Sequence, residues 1–208
     1  IGIPLTLLKI TKDAEIAVVE MGANHQQEIA SYCTYALPTH GLISNCGKAH
    51  LEGFGGVEGV KKGKGELYDH LRQYNGTAFV MWDYDYLREM SKGISNIMTY
   101  GTAAADIEGH ALKTATFLEV AVTKGAATGN IKTQLVGDYN LPNVLAAIAV
   151  GKYFGVPDEK IKKALEEYTP SNSRSQLLQK GSNSIILDAY NANPSSMKLA
   201  IRSEEHTS

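Results

Sequence analysis

The chain has 208 residues, 43% of them hydrophobic, enough to bury one large core or one core and part of a second. Its 20 basic and 22 acidic side chains leave a net charge of -2, so no broad field draws in a nucleic-acid backbone or inserts the chain at an anionic membrane. Only two cysteines, Cys33 and Cys46, are present, no apolar run approaches the ~20 residues of a membrane span, and no charged leader precedes an apolar core; the expectation is a soluble cytoplasmic protein with free thiols.

In chain order, Pro4 suits the first turn of a short helix ahead of Leu5, Leu7 and Leu8. Ile16-Ala17-Val18-Val19 is a continuous apolar run that predicts a strand covered on both faces of a parallel sheet, ending in Glu20. Residues 27–36 read as helix and Gly41 to Asn45 as a second strand, so strand, helix, strand points to an α/β domain. After a Gly-rich loop, Val57 to Leu71 has helical spacing, Asn75-Gly76 marks a turn and Thr77 to Met81 a further strand. From about Asp106 to Val136, alternating β-branched residues on either side of Gly125 to Gly129 predict an antiparallel excursion. Asn140 to Phe154 and Pro157 to Tyr168 read as helices, and Ser184 to Asp188 as another buried strand ending in a carboxylate.

Both chain ends look unnatural. The chain opens on Ile1-Gly2-Ile3-Pro4 without an initiator Met, and Arg202 to Ser208, read RSEEHTS, resembles the translation of a sequencing adapter. The expectation is native sequence over 1–201, truncated at both ends, with 202–208 foreign.

Several residues invite chemistry. Glu20, at the end of a predicted strand, stands where open α/β sheets bind ligands and suits magnesium; a solvated acid is the alternative. Lys64 falls where a leucine is expected, in the middle of the stripe Val57, Val60, Leu67 and Leu71. A buried amine loses its proton readily and can then add carbon dioxide to become a metal-binding carbamate, while a stem that snorkels to water is the competing reading. Lys61 and Lys62 look solvated, with Glu58 and Lys62 spaced for a surface pair. His50, shortly after the second strand, is a metal ligand if it lies beside Glu20 and a structural histidine otherwise. The glycines of Gly59 to Gly65 miss the phosphate-loop spacing, and Gly65 stands where that loop needs Ser or Thr. Asn140 and Asn143, near a helix start, either cap it or read a base edge. Arg174 is either a phosphate clamp or a solvated loop residue, and Asp188 repeats the pattern of Glu20.

Together, GIPLTLL at 2–8, EMGANHQQEI at 20–29, NCGKAHLEGFGGVEGVKKGKGELY at 45–68, NLPNVLAA at 140–147, SRSQ at 173–176 and DAYNANPSSM at 188–197 resemble the Mur ligase family. The resemblance implies a central P-loop-type ATP-binding domain, a mostly parallel sheet flanked by helices with a small antiparallel excursion, whose C-terminal part extends to the start of a further domain. It implies ATP and two magnesium ions as cofactors, with Glu20 and His50 as magnesium ligands and Lys64 as a carbamate steadying the second ion. Asn45, Asn140 and Asn143 would share the adenine pocket, Arg174 would reach the terminal phosphate and Asp188 the ribose.

Within the family, the GANHQ turn implies the member of peptidoglycan synthesis that joins D-alanyl-D-alanine to UDP-N-acetylmuramoyl-tripeptide through an acyl phosphate. It would be monomeric when complete, and the phosphate loop, uridine-binding part and amine-binding part would lie outside this chain. A folylpolyglutamate or cyanophycin type of ligase would share the metal and Lys64 chemistry, though not that turn. A non-catalytic nucleotide-binding relative would have no use for Glu20, His50 and Lys64 together.

Overall fold

The computed structural model describes residues 2–47, 51–112, 117–171, 176–187 and 197. The chain divides into two compact units, one of residues 1–78 and 90–97, the other of residues 79–89 and 98–208. The strands of the main sheet are hydrogen-bonded in the order β1-β2-β3-β4-β5-β6, with β1 spanning His40–Leu42, β2 Thr77–Met81, β3 Asn96–Gly101, β4 Ile107–Leu112, β5 Phe117–Lys124 and β6 Asn130–Val136. The backbone N–H of Thr77 donates to Thr39 O, which brings the starts of β1 and β2 together, and that of Trp82 donates to Tyr100 O, which does the same for the ends of β2 and β3; both are parallel arrangements. β3 and β4 are parallel; β4, β5 and β6 are antiparallel.

The first unit is built on helix α4, Val57–Gln73. Its buried face holds Gly59, Val60, Gly63, Tyr68 and Leu71, a 3.6-residue stripe. It packs against α2, Glu28–Ala36, and α3, Leu51–Phe54, while α1, Gly2–Leu7, packs against α2. The glycines explain how α3 approaches so closely. A Cβ on Gly59 would lie 1.7 Å from the Phe54 carbonyl oxygen, and one on Gly63 2.4 Å from the Phe54 ring. These residues therefore serve packing within a helix and form no loop around a phosphate. At the other end Leu71 is fully buried against Gly41 of β1 and Gly76 of the turn into β2, a burial worth about 1.5–3 kcal/mol.

In the second unit, Leu118 and Val120 of β5 and Ile131 and Thr133 of β6 are buried in alternation, and Val136, out of that alternation, is buried at the end of β6. Helix α6, Leu141–Tyr153, opens with Pro142 in its first turn and buries Val144, Leu145, Ile148 and Ala149. Leu145 comes so near Gly109 of β4 that a Cβ there would meet it at 2.9 Å. Helix α7, Asp158–Glu167, is tied in by Asp158, which accepts from Ala127 N–H and from Lys152 Nζ at 2.8 and 2.7 Å. Strands β7, Gln176–Lys180, and β8, Asn183–Leu187, form a separate antiparallel pair. Among the described residues no helix is long and apolar enough to cross a membrane.

Two predicted strands need correction. Residues 16–19 are not a strand: they have no ladder partner among the described residues, and Ile16 and Val18 are 57% and 89% exposed. An apolar run signals a buried strand only where neighbours cover it, and composition does not reveal the neighbour. The buried strand expected at Ser184 to Asp188 is instead β8 of the two-stranded sheet, with Ile185 40% exposed. Asp188 itself lies outside the described residues.

Candidate functional site

Lys64 sits at the middle of α4, half-buried, because the helix turns that position toward the segment following β1. Its stem does not run out to water: Nζ donates to the backbone carbonyl of Asn45 at 2.6 Å. Burial pulls the lysine's pKa below its ordinary value, with the neighbouring Cys46 opposing the shift; an amine in this setting gives up its proton more easily than a free lysine. The stripe predicted around Lys64 holds at Val60 and Leu71, whereas Val57 is exposed. The expected Glu58–Lys62 pair is replaced by Lys61, whose Nζ lies 2.7 Å from Glu58 Oε1; both spacings share a helix face, and the shorter one is taken.

Asn45 belongs to the same unit. Its Oδ1 accepts the N–H of Gly47 at 3.0 Å, an Asx turn that shapes the backbone from which its carbonyl meets Lys64. Cys46 is half-exposed and forms no disulfide. Its thiol is pushed up by burial and drawn down by the charges of Lys64 and Lys61.

Glu20, also in this unit, is exposed. The turn after it is more constrained than its polar sequence suggests. Glu28 accepts from the N–H groups of Asn24 and His25 at 2.7 and 3.3 Å, and the Gln26 carboxamide donates to Phe54 O at 3.2 Å. Glu66, which local spacing does not mark, accepts from the N–H groups of Gln27 and Ala30. A glutamate that caps another helix thirty-odd residues away leaves no pattern in the sequence, so only the folded chain reveals it.

In the second unit, Asn140 is buried at 7% exposure. Its Nδ2 donates to Val136 O at 2.9 Å and its Oδ1 accepts from Asn143 Nδ2 at 3.1 Å. Neither bond is the helix-capping contact expected of it, since Asn140 makes no side-chain cap; its carboxamide is turned back to the end of β6, where a buried carbonyl needs a donor. The exposed Asn143 is held beside it. The structure thus joins Lys64 to Asn45 and Asn143 to Asn140. His50, Arg174 and Asp188 lie outside the described residues, among which no group of three His, Cys, Asp or Glu side chains is placed to hold a metal ion.

Residues 1–151 match the Mur ligase middle domain. The chain belongs to the Mur ligase family. The UDP-N-acetylmuramoyl-tripeptide--D-alanyl-D-alanine ligase of Haemophilus influenzae is 36% identical to it over 208 residues, an alignment covering 97% of this chain and 44% of that protein. Among solved Mur ligases, MurF from Acinetobacter baumannii superposes with a TM-score of 0.88 at 31% identity, over all of this chain and 46% of its own. MurF from Thermotoga maritima, solved in complex with ADP, gives 0.86 at 25% identity, covering 97% of this chain and 47% of that one. The chain spans less than half the length of these Mur ligases. The α/β fold with a six-stranded sheet flanked by helices is that of the family's middle domain.

Proposed function

We propose that residues 1–201 are the ATP-binding middle domain of a monomeric cytoplasmic ligase that joins D-alanyl-D-alanine to UDP-N-acetylmuramoyl-tripeptide. The observation that carries this reading is Lys64: a half-buried amine, loosened from its proton and seated on the Asn45 carbonyl, within a chain whose relatives are named for that reaction and one of which was solved with ADP. In the reaction, the terminal phosphoryl group of ATP passes to the tripeptide's carboxylate, releasing ADP and leaving an acyl phosphate. The amine of D-alanyl-D-alanine attacks the acyl carbon and loses a proton, and inorganic phosphate departs.

The donor set fits magnesium. Glu20 presents an exposed carboxylate, and the neutral amine of Lys64 can attack carbon dioxide, forming an N–C bond and losing a proton to give a carbamate. Glu20, His50 and the carbamylated Lys64 would hold two magnesium ions, which when bound offset the charge of the triphosphate and the acceptor carboxylate. A carbamate at Lys64 would be tethered by the lysine stem, so that its charge would stay fixed and would not compete as a nucleophile. Asn45, Asn140 and Asn143 would receive the adenine, Arg174 the terminal phosphate and Asp188 the ribose.

The test is ADP and phosphate release by the full-length gene product. Sustained release of both products is expected only when UDP-N-acetylmuramoyl-tripeptide and D-alanyl-D-alanine are supplied together with ATP and magnesium. Turnover with a folate and glutamate instead, or none with the cell-wall substrates, would overturn the reading.

A further inference from the structure

The backbone between Glu20 and α2 is held at more points than a surface turn requires. Oε1 of Glu66 accepts the N–H of Gln27 at 2.5 Å and Oε2 that of Ala30 at 2.9 Å, so one carboxylate of α4 satisfies two donors at the open end of α2. Gln26 reaches Phe54 O from the same turn, and a Cβ on Gly53 would lie 2.3 Å from Asn24 O, so α3 also presses against this segment. Gln27 has φ 70, the left-handed region that a residue with a Cβ enters only when its surroundings hold it there. The Glu66 charge also faces α2: the buried Cys33 thiol is pushed up to about 11, by burial first and by Glu66 second. An ordinary cap would come from α2 itself; this one comes from the helix that bears Lys64.

Resting on the reading of Glu20 and Lys64 as ligands of one metal site, we propose that Glu66 is a positioning residue, tying the backbone that leaves Glu20 to the helix that carries Lys64 and so fixing the Glu20 carboxylate relative to Lys64 before metal binds. Each acceptor oxygen of Glu66 is bound to a backbone donor, and the role proposed for it toward the ion runs through Glu20. Supports of this kind set ligand geometry, and their loss weakens metal affinity without removing a ligand.

The experiment uses the full-length gene product in two measurements. In Glu66→Ala, hydrogen–deuterium exchange over residues 24–31 should accelerate. Manganese binding in the presence of ADP, followed by electron paramagnetic resonance, should weaken about tenfold, and adding Gln27→Gly, which relieves the left-handed strain, should recover most of that loss. Glu66→Gln, which keeps the side-chain length and one acceptor oxygen, should lose less and carries the same comparison if Glu66→Ala does not fold. Unchanged exchange would overturn the clamp. Faster exchange with unchanged manganese affinity would overturn the positioning role while Glu20→Ala, by weakening manganese binding, upheld the ligand reading. Unchanged manganese affinity in Glu20→Ala would sink the ligand reading and this proposal with it.

Discussion

Lys64 occupies a position that an apolar residue would fill at lower cost, and it is turned inward onto a carbonyl. Under the proposed chemistry, Lys64→Ala removes the anion that would hold magnesium for phosphoryl transfer, and turnover of the full-length enzyme should fall by about a hundredfold or more. Short carboxylic acids, able to enter the space vacated by the carbamate, should restore part of it in steady-state ADP release; near-normal turnover of the untreated variant would remove Lys64 from the mechanism. Because burial lowers the lysine's pKa, the neutral amine that attacks carbon dioxide gains population as pH rises, and does so at lower pH than in a free lysine. At a fixed concentration of dissolved carbon dioxide, enzyme previously stripped of it should thus regain activity faster at higher pH. Lys64 was legible in the sequence because a charge interrupts an apolar period. Glu66 was not, since its partners are backbone groups on a distant turn; the inward carboxamide of Asn140 was hidden for a different reason, since an asparagine at a helix start can equally cap the helix or turn back to the preceding strand.

Helix α4 shows how one residue type can act with opposite sign along a single element. Gly59→Ala drives a methyl group into the Phe54 carbonyl, a backbone atom that cannot swing aside, whereas at Gly65 an added Cβ meets only the end of Met90 at 3.4 Å. In thermal or denaturant unfolding, Gly59→Ala should destabilise by about 3 kcal/mol, the upper part of the overpacking range. Gly65→Ala should be neutral or stabilise by up to about 1 kcal/mol, the helix propensity difference. Equal effects at the two sites would mean that α3 does not press on α4 as described. Helices α2, α4, α6 and α7 and strand β2 were readable because their apolar spacing or turn residues are local. Helix α5, Asp85–Met90, and strand β3 were not predicted: α5 is short and polar, burying only Leu87, and β3 buries only its last two residues, so neither displays a clear period.

At the scale of the whole molecule, the chain is under half the length of its curated relatives, and the glycines of α4 that mimic a phosphate loop lie inside a helix. The 208-residue chain, expressed alone, should release no ADP in the presence of both substrates, because phosphoryl transfer requires the triphosphate to be cradled in line with the acceptor carboxylate, and the proposed phosphate cradle lies outside this chain. Amide formation by this chain alone would show that the phosphate cradle and amine site lie within it.

The uncovered run Ile16-Ala17-Val18-Val19 has a consequence for handling the protein. Four consecutive residues of low polarity, three of them β-branched and without proline, are the raw material of a cross-β stack. Glu15 and Glu20 flank them on either side. In a stack of identical strands those carboxylates would lie in like-charged columns, so they act as gatekeepers against fibril growth. A substitution at Glu20 is therefore expected to shorten the lag of thioflavin-monitored fibril growth as well as to lower the proposed metal affinity; Glu15→Gln, which weakens the same guard without touching Glu20, separates the two effects.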